Sequence, residues 1–478
     1  SEDFKIYRTY GVLKEQKKSD ILVGYHMQTF VVAGDEICAA LTTEKPEIDN
    51  IRVLLMTTNF KSLFHPEITL VCDSMAVLEY GDEKDKKTQS VAAGEPVTIS
   101  AGDSRLESGR MVFRSANEGG MITVRNIERS QGTPVYPGHM EITGEEEGLL
   151  LLNEVDLEEY LKRVVPSEMP YTYELEALKA QAVCARTYAW RQIRGSSYSE
   201  YGAHVDDSTS FQVYNNTSVF DTTDAAVNET FGQMAAYDGE PIDALYYSTS
   251  CGHTGTMENW NLSDDKTYGY LKSVWVKKDA PKTDLSKEKN FRTYIQSGDE
   301  VCFDGKTPYF RWSAALDFNQ KDENIRNILK EQKKANGKNI TFYAKDGTKK
   351  KSLKGFGAIA EVSVKKRGTS GAVKMLKLEF ENGMALVKNE YNIRRILGAA
   401  LKEVTLQDGT KNMQMTVLPS AYCVLDYDKN TKTASAIGGG FGHGIGMSQY
   451  GADYLARQGK TYEEILKTYY TGVEIENR

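Results

Sequence analysis

The segment spanning residues 153–191 constrains the fold most strongly, because it predicts two helices joined by a short proline-containing turn. Asp156 is the type of residue that caps a helix N-terminus, and apolar residues follow it at helical spacing. Since proline interrupts a helix, Pro166 should end the first helix, and Pro166 and Pro170 together should hold Glu168 in a rigid, non-helical joint. A carboxyl group held among apolar neighbours is a candidate acid catalyst.

The second predicted helix follows the joint. From Leu175 to Ile193 its apolar and small residues are spaced by three or four, which indicates one buried face. Lys179 and Arg186 lie seven residues apart and therefore share a different face. The sequence thus predicts a carboxyl group beside a helix that carries two cations.

Composition excludes several classes of protein. The chain has 478 residues, enough for two to four domains, and a net charge of -8, which argues against a general nucleic-acid binder. No apolar run approaches the ~20 residues that cross a bilayer, and the first residues do not form a signal peptide. The six cysteines occur singly, so neither a zinc ribbon nor a thioredoxin-type motif is present.

Strands and helices come in blocks, which predicts an α+β fold. Alternating residues at 110–128 and at 359–383 each predict a hairpin, the first turning at residues 117–120. Charged runs at 276–354 indicate a solvated, inserted lobe. The predicted domains are an N-terminal extension (1–50), a strand-rich region (51–146), a mixed core (147–275 and 355–478) and the lysine-rich lobe (276–354).

Several motifs together resemble one family, the stage II sporulation protein D and amidase-enhancer proteins of bacterial cell-wall remodelling. The motifs are N-x-V-x-L-E-E-Y-L-x-x-V-V-P-S-E-M-P at 153–170, A-L-K-A-Q-A-V-x-A-R-T-Y-A at 177–189, Y-Y-S-T-S-x-G at 246–252, R-W at 311–312 and G-F-G-H-G-I-G-M-S-Q-Y-G-A at 440–452. The resemblance covers roughly residues 51–275 and 355–478.

This resemblance implies an exported lytic transglycosylase that acts on peptidoglycan glycan strands and needs no cofactor. The glutamate of the P-S-E-M-P block, here Glu168, would be the single acid/base. It would protonate the bridging oxygen and then accept the proton of the sugar's own 6-hydroxyl, leaving a 1,6-anhydro end. Most glycosidases need two carboxyl groups, whereas this reaction needs one.

The resemblance also implies a set of substrate-binding residues that line a glycan groove. For each of them an ordinary structural role is the alternative. His443, in a loop with six glycines at 438–446, is as consistent with pinning that loop as with binding a sugar. The implied residues are Lys179, Arg186, Tyr188, Tyr247, Ser248, Ser250 and His443.

Two other kinds of site are weighed and rejected. Cys251 precedes His443 in the chain, but no helix pattern follows Cys251, as a papain-like thiol would require. Some relatives carry a histidine and two cysteines before the Q-x-Y that is Gln212–Tyr214 here. Cys251, His253 and His204 are candidate metal ligands, but this chain has no cysteine in that stretch and His204 alone cannot hold an ion, so we predict no metal.

The predicted partners are glycan strands freed of stem peptides and a cell-wall amidase that would remove those stems. A protein from another class, a non-catalytic wall-binding activator of an N-acetylmuramoyl-L-alanine amidase, is the alternative. We expect an extracytoplasmic, wall-facing location, with any membrane anchor lying outside this sequence. The sequence leaves open whether the role is in sporulation or vegetative growth.

Overall fold

The structure is a computed structural model that describes residues 4–25, 28–82, 84–195, 197–214, 218–262, 267–277, 283–297 and 301–477. Helices and strands are mixed, with several sheets, which confirms the α+β class. The chain divides into two compact units. The first unit comprises residues 1–243 and 475–478, and the second comprises residues 244–474.

Among its described residues, the first unit contains the helices α1 (Leu157–Glu168), α2 (Leu175–Gly195) and α3 (Asp221–Glu229). Its strands are β1 (Lys5–Arg8), β2 (Lys14–Gln16), β3 (Gln28–Ala33), β4 (Glu36–Thr42), β5 (Asn50–Leu54), β6 (Phe64–His65), β7 (Glu67–Cys72), β8 (Ala76–Tyr80), β9 (Lys87–Val91), β10 (Pro96–Ser100), β11 (Met111–Ser115), β12 (Ile122–Val124), β13 (Val135–Tyr136), β14 (His139–Glu145), β15 (Gly148–Asp156), β16 (Val205–Asp206), β17 (Gln233–Tyr237) and β18 (Glu240–Pro241).

The largest sheet of this unit has the order β16-β5-β15-β14-β11-β8-β9, with β6 also pairing with β15. Smaller sheets are β2-β1-β4-β3, β10-β7-β12-β13, and β18-β17 with the last strand of the chain, Glu474–Asn477. β15 is buried along most of its length and leads directly into α1. Asp156 ends the strand and caps the helix, accepting hydrogen bonds from the N–H groups of Glu158 and Glu159 at 2.9 and 3.0 Å.

The expected hairpin at 110–128 is wrong. β11 pairs with β8 and β14, whereas β12 pairs with β7 and β13 in a different sheet. The Gly-rich turn between the strands satisfies the local signal for a hairpin, but each strand finds its partners elsewhere in the chain. Local alternation shows that a segment is a strand and leaves its partner undetermined.

The second unit contains α4 (Glu288–Gln296), α5 (Asp322–Ala335), α6 (Glu390–Ala399), α7 (Gln449–Arg457) and α8 (Tyr462–Tyr469). Its strands are β19 (Tyr246–Tyr247), β20 (Trp312–Asp317), β21 (Ile340–Ala344), β22 (Lys349–Lys350), β23 (Ile359–Arg367), β24 (Val373–Phe380), β25 (Gly383–Lys388), β26 (Leu401–Leu406), β27 (Lys411–Asn412), β28 (Cys423–Asp428), β29 (Thr433–Gly438) and β30 (Met447–Ser448).

Two five-stranded sheets organise this unit, with the orders β27-β26-β20-β29-β28 and β22-β21-β25-β24-β23. β23 and β24 pair antiparallel, which confirms the hairpin expected at 359–383. One buried cluster joins residues of both sheets with residues of α5 and α6, among them Trp312, Leu376 and Ile396.

The segment 276–354 differs from the separate lobe expected from its lysines. Its strand β20 is the middle strand of a five-stranded sheet, and Trp312, Ala314 and Leu316 on it are buried. α5, also in this segment, contributes Ile325 and Leu329 to the same core. One charged run lies on α5 itself, where Lys330 and Lys334 are exposed while Ile325 and Leu329 are buried. The composition of the segment therefore indicated a solvated lobe, although its strand β20 lies at the centre of a sheet.

Candidate functional site

Glu168 is the last residue of α1, and its side chain is half-buried. Its Oε1 atom accepts a hydrogen bond of 2.8 Å from the backbone N–H of Val213. Val164, Val165 and Met169, its apolar neighbours in sequence, are buried. The carboxyl group is therefore held by the Val213 N–H at the end of α1, while the residue stays partly accessible to solvent.

The expected helix break at Pro166 is wrong, because α1 continues through this proline to Glu168. The N–H of Met169 donates to the carbonyl of Val165 at 2.9 Å, which closes the last turn. The proline costs the hydrogen bond of its missing N–H and crowds the preceding turn, but this close to the helix end the helix still continues to Glu168. Met169, which precedes Pro170, is extended as expected, so the joint begins after Glu168 and not before it.

Two tyrosines lie close enough to Glu168 to feel its charge. Burial raises the pKa of Tyr188, and the nearby carboxylates, Glu168 among them, raise it further. Burial likewise raises the pKa of Tyr160, with smaller contributions from neighbouring tyrosines and from Glu168. Both phenols are therefore protonated at neutral pH. Tyr188 is half-buried, and the Tyr160 hydroxyl, fully buried, has no hydrogen-bond partner among the described residues.

Arg186 is committed to contacts within the first unit. Its side chain is 1% exposed and forms a two-pronged ion pair with Glu158, with Nε–Oε1 and Nη2–Oε2 distances of 2.6 Å. The same guanidinium donates to the Val227 carbonyl at 3.2 Å and to the Gln233 carbonyl at 3.1 Å. It thereby joins α1, α2, α3 and β17. The guanidinium of Arg186 therefore has a structural role, because its hydrogen bonds connect these elements.

Lys179 occupies the same face of α2, about two turns earlier, and is less enclosed. Its Nζ lies 2.8 Å from Glu176 and 2.7 Å from Glu229, and its side chain is 14% exposed. The four predicted residues of the first unit thus differ in what they offer a ligand. Glu168 and Tyr188 are partly accessible, Lys179 is shared between two carboxylates, and Arg186 is enclosed.

In the second unit, the predicted strand end and the glycine-rich loop lie together. β19 pairs parallel with β30, and Thr249 and Phe441 exchange backbone hydrogen bonds of 3.2 and 2.8 Å. Gly442 has φ +114, and a Cβ there would lie 2.8 Å from the Cβ of Tyr247. The glycines at this point serve the close approach of one segment to another.

Ser250 and Asp304 form a buried polar cluster next to this contact. Asp304 accepts hydrogen bonds from the N–H of Ser250 at 3.1 Å and from its hydroxyl at 2.8 Å, and it also accepts from the Ser448 hydroxyl. Burial raises the pKa of Asp304 to about 6, although these hydrogen bonds act in the opposite direction. Ser248, two residues before Ser250, is half-buried and contacts the Thr249 hydroxyl at 3.1 Å.

His443 is held within its own loop. Its Nδ1 accepts a hydrogen bond of 3.1 Å from the N–H of Ile445, so the ring proton is on Nε2. Its ring packs between Tyr247 and Trp260, with centroids 5.6 and 5.3 Å away. Burial lowers the pKa of His443 to about 4, and the ring is neutral at pH 7. These contacts fit a residue that pins the loop.

The buried thiol and histidines do not form a hydrolase or metal site. Burial raises the pKa of Cys251 to about 11, which opposes formation of a nucleophilic thiolate. His204 Nδ1 accepts from the N–H of Arg52 at 3.0 Å, and its Nε2 donates to the carbonyl of Val23 at 2.9 Å. Both ring nitrogens of His204 are therefore already used.

His139, Glu141 and Glu154 in the first unit could each offer an atom to a metal, all within 4.8 Å of one another. The guanidinium of Arg52 already forms ion pairs with both carboxylates. Burial would raise the pKa of Glu141, but hydrogen bonds from His139 and Arg52 lower it to about 2. A metal ion would have to displace the arginine, so the cluster does not fit a metal site.

Tyr160 and Asp304 are the residues near the predicted sites that the sequence did not identify. Tyr160 has the spacing of a core residue on α1, and Asp304 lies within the segment assigned to a solvated lobe. No sequence signal distinguishes either from ordinary residues of its kind. Both residues were identified from their tertiary neighbours: Tyr160 lies near Glu168, and Asp304 accepts hydrogen bonds from Ser250 and Ser448.

Comparisons with known protein families match one segment in each of the two units. The family model "Stage II sporulation protein" matches residues 145–237, which include α1, α2 and Glu168. A domain of unknown function (DUF8618) matches residues 337–446 of the second unit. Over the described residues, no helix has both the length and the apolar character that a membrane crossing needs.

Among curated proteins, the stage II sporulation protein D of Bacillus subtilis (strain 168) is 31% identical over 336 residues, covering 67% of this chain and 74% of that protein. The stage II sporulation protein D of Bacillus amyloliquefaciens is 29% identical over 335 residues, with the same coverage. The amidase enhancer of Bacillus subtilis (strain 168) is 29% identical over 317 residues, which are 66% of this chain but only 40% of that longer protein.

Proposed function

This chain belongs to the stage II sporulation protein D family, and on that basis we propose that it is a lytic transglycosylase that cuts the glycan strands of peptidoglycan. Its similarity to these relatives indicates that the chain is a sporulation-related cell-wall protein. What we propose beyond this is lytic transglycosylase activity, a substrate of glycan strands freed of stem peptides, and an extracytoplasmic location. The observation that carries it is the placement of Glu168 at the end of α1, where it is partly accessible and oriented by the N–H of Val213.

In the proposed reaction, protonated Glu168 gives its proton to the bridging oxygen as the bond between that oxygen and the anomeric carbon of muramic acid breaks. The resulting carboxylate then accepts the proton of the sugar's 6-hydroxyl as O6 bonds to the anomeric carbon. The products are a free 4-hydroxyl on the leaving sugar and a 1,6-anhydro end. No water is consumed, and Glu168 returns to its starting state.

The apolar neighbours of Glu168 support this cycle, because desolvation favours the protonated acid that the first step needs. Lys179 and Arg186 would oppose protonation if they approached Glu168, but both are paired with other carboxylates. The protonated hydroxyl of Tyr188, which is only half-buried, is suited to donate to a sugar oxygen near Glu168.

Of the predicted glycan contacts, we propose Tyr188 in the first unit and Ser248 in the second, because both side chains are only half-buried. Lys179 could reach a sugar from its place at the edge of α2. Arg186, Tyr247, Ser250 and His443 would act by holding the surrounding structure in place, since each is buried or held by neighbouring residues.

The test is to incubate the protein with glycan strands freed of stem peptides and to search for 1,6-anhydro ends by mass spectrometry. Glu168→Gln should reduce their formation by at least about 100-fold, the typical scale of a lost acid/base. Its amide oxygen can still accept from Val213, so folding should be unchanged. Glu159→Gln, on the same helix and paired with Lys162, is the matched control and should retain activity.

A non-catalytic amidase activator is the second candidate, favoured by the similarity to the amidase enhancer. It predicts that wild type makes no anhydro ends and that both wild type and Glu168→Gln accelerate an N-acetylmuramoyl-L-alanine amidase equally. Reducing ends in place of anhydro ends would instead indicate hydrolysis, which requires a second carboxyl group.

A further inference from the structure

A cavity of about 420 Å³ in the second unit has five cationic residues among the eleven that line it. Five cations border it, namely Lys287, Lys365, Lys366, Arg367 and Lys374. Two carboxylates, Glu258 and Glu288, also border it, which gives the lining a net charge of +3 (five minus two). The whole chain has a net charge of -8, so this concentration of positive charge runs against the overall balance.

An irregularity in β23 produces this arrangement. The pairing of β23 with β24 shifts register between Val364 and Lys366 and again between Lys366 and Arg367. A bulge of this kind breaks the strict alternation of side chains along a strand. Consecutive Lys365 and Lys366 are both exposed at the cavity as a result, while Arg367 is buried.

The carboxylates at the cavity are already neutralised. Glu288 pairs with Arg367 through distances of 2.6 and 3.0 Å. Glu258 contacts Lys374 at 3.1 Å and accepts from the Thr369 hydroxyl at 3.0 Å. These pairs hold two of the five cations.

Three cations therefore remain available to a ligand. Lys287, Lys365 and Lys366 form no ion pair with any residue that the structure describes, and all three are exposed. Lysine ammonium groups are compact point charges that suit phosphate oxygens, whereas planar two-pronged recognition of a carboxylate favours arginine. The one arginine here is occupied by Glu288.

The remainder of the lining narrows the class of ligand. It contains the hydroxyl groups of Ser286 and Thr369 and no aromatic side chain, so it offers nothing on which nucleic-acid bases could stack. Its volume lies within the range of ligand pockets, and the cavity is open to solvent. Hydroxyl groups and point charges together fit a polyol whose units are joined by phosphodiesters.

We propose that this cavity binds a polyol-phosphate polymer through Lys287, Lys365 and Lys366. The site lies within or beside the stretch matched by a domain of unknown function, residues 337–446, and gives that domain a ligand class. The inference does not depend on the proposed glycan cleavage, because it uses none of the residues assigned to that reaction.

The test is to measure binding of a fluorescent glycerol-phosphate oligomer to the full chain by anisotropy at 50 mM and 300 mM salt. Lys287→Gln/Lys365→Gln/Lys366→Gln should bind at least tenfold more weakly than wild type at low salt. Lys349→Gln/Lys350→Gln/Lys351→Gln removes the same charge from exposed positions of the same unit and should change binding less than twofold. Wild-type affinity should fall at 300 mM salt because exposed charges are then screened.

Two further probes identify the ligand class. Inorganic phosphate and a thymidine oligonucleotide with the same number of phosphates should each bind at least tenfold more weakly than the oligomer. Equal losses in the two triple variants would overturn the site, as would the absence of oligomer binding. Inorganic phosphate or the oligonucleotide binding as tightly as the oligomer would overturn the assignment to a polyol-phosphate polymer. Unaltered anhydro-end formation in the cavity variant would show that glycan cleavage is separate.

Discussion

Arg186 shows how burial and pairing determine what a charged residue can do. Removing its charge would leave Glu158 without its two-pronged partner and would free the carbonyls of Val227 and Gln233. We expect Arg186→Met to lower the free energy of unfolding of the first unit by about 3–5 kcal/mol, the usual effect of breaking a buried ion pair. Urea denaturation followed by circular dichroism would measure it.

Lys179→Met is the matched control, since it removes the same charge from the same face of α2. Its ion pairs with Glu176 and Glu229 lie closer to solvent, so we expect a loss of no more than about 1 kcal/mol. Equal losses in the two variants would contradict the structural role of Arg186.

Asp304 should give the second unit a specific dependence on pH. Its pKa is about 6 in the fold and near 3.8 when unfolded, so the folded state binds more protons between these values. Stability from this group is therefore fully present below pH 3.8 and is lost as pH rises through about 6. The difference corresponds to about 3 kcal/mol, at 1.4 kcal/mol for each pKa unit.

The measurement is the unfolding free energy of wild type minus that of Asp304→Asn, taken from pH 4 to pH 7. We expect this difference to shrink as pH rises, because asparagine does not titrate. The buried histidines oppose the trend in both proteins and cancel in the difference, since the pKa of His443, like that of His253, is lowered to about 4. A difference that stays constant with pH would contradict the raised pKa.

At the scale of elements, α1 shows that a proline can lie in the last turn of a helix. Replacing Pro166 by alanine restores an N–H donor and removes the clash of the ring with the preceding turn. We expect Pro166→Ala to raise the unfolding free energy of the first unit by about 1–2 kcal/mol, the helix gain being reduced by the greater freedom of the unfolded chain. Thermal and urea unfolding would measure it.

Pro170→Ala is the control with the opposite sign. Pro170 is exposed and lies outside the helix, so its replacement only loosens the unfolded chain and should lower stability by about 0.4–1 kcal/mol. Destabilisation by Pro166→Ala would mean that the proline ring packs in a way that outweighs its missing donor.

The two segments predicted to be hairpins show when a local pattern is enough to identify the partner of a strand. At 359–383 both strands alternate and pair with each other, as expected. At 110–128 the same kind of pattern gives two strands of separate sheets. Strand character follows from the residues themselves, whereas the partner depends on burial against distant parts of the chain.

At the scale of the whole molecule, the six cysteines differ sharply in accessibility. Cys38 is exposed, and Cys72, Cys184, Cys251, Cys302 and Cys423 are buried. We expect one thiol to react rapidly with Ellman's reagent in the native protein and six to react in guanidinium, because a buried, protonated thiol is a poor nucleophile. Cys38→Ser should abolish the rapid reaction. A second rapid thiol in that variant would contradict the burial.

The sequence alone determined the family, the α+β class and the existence of the two helices that flank the joint near Glu168, because long motifs and helical spacing are local properties. It also located the loop and strand end that meet in the second unit, although it could not show that they meet. The tertiary structure alone decided that α1 passes through Pro166, that Arg186 is enclosed by Glu158 and two helices, and that 276–354 holds a central strand. These features depend on burial and on partners distant in sequence, and no local pattern specifies which residues will share a buried environment.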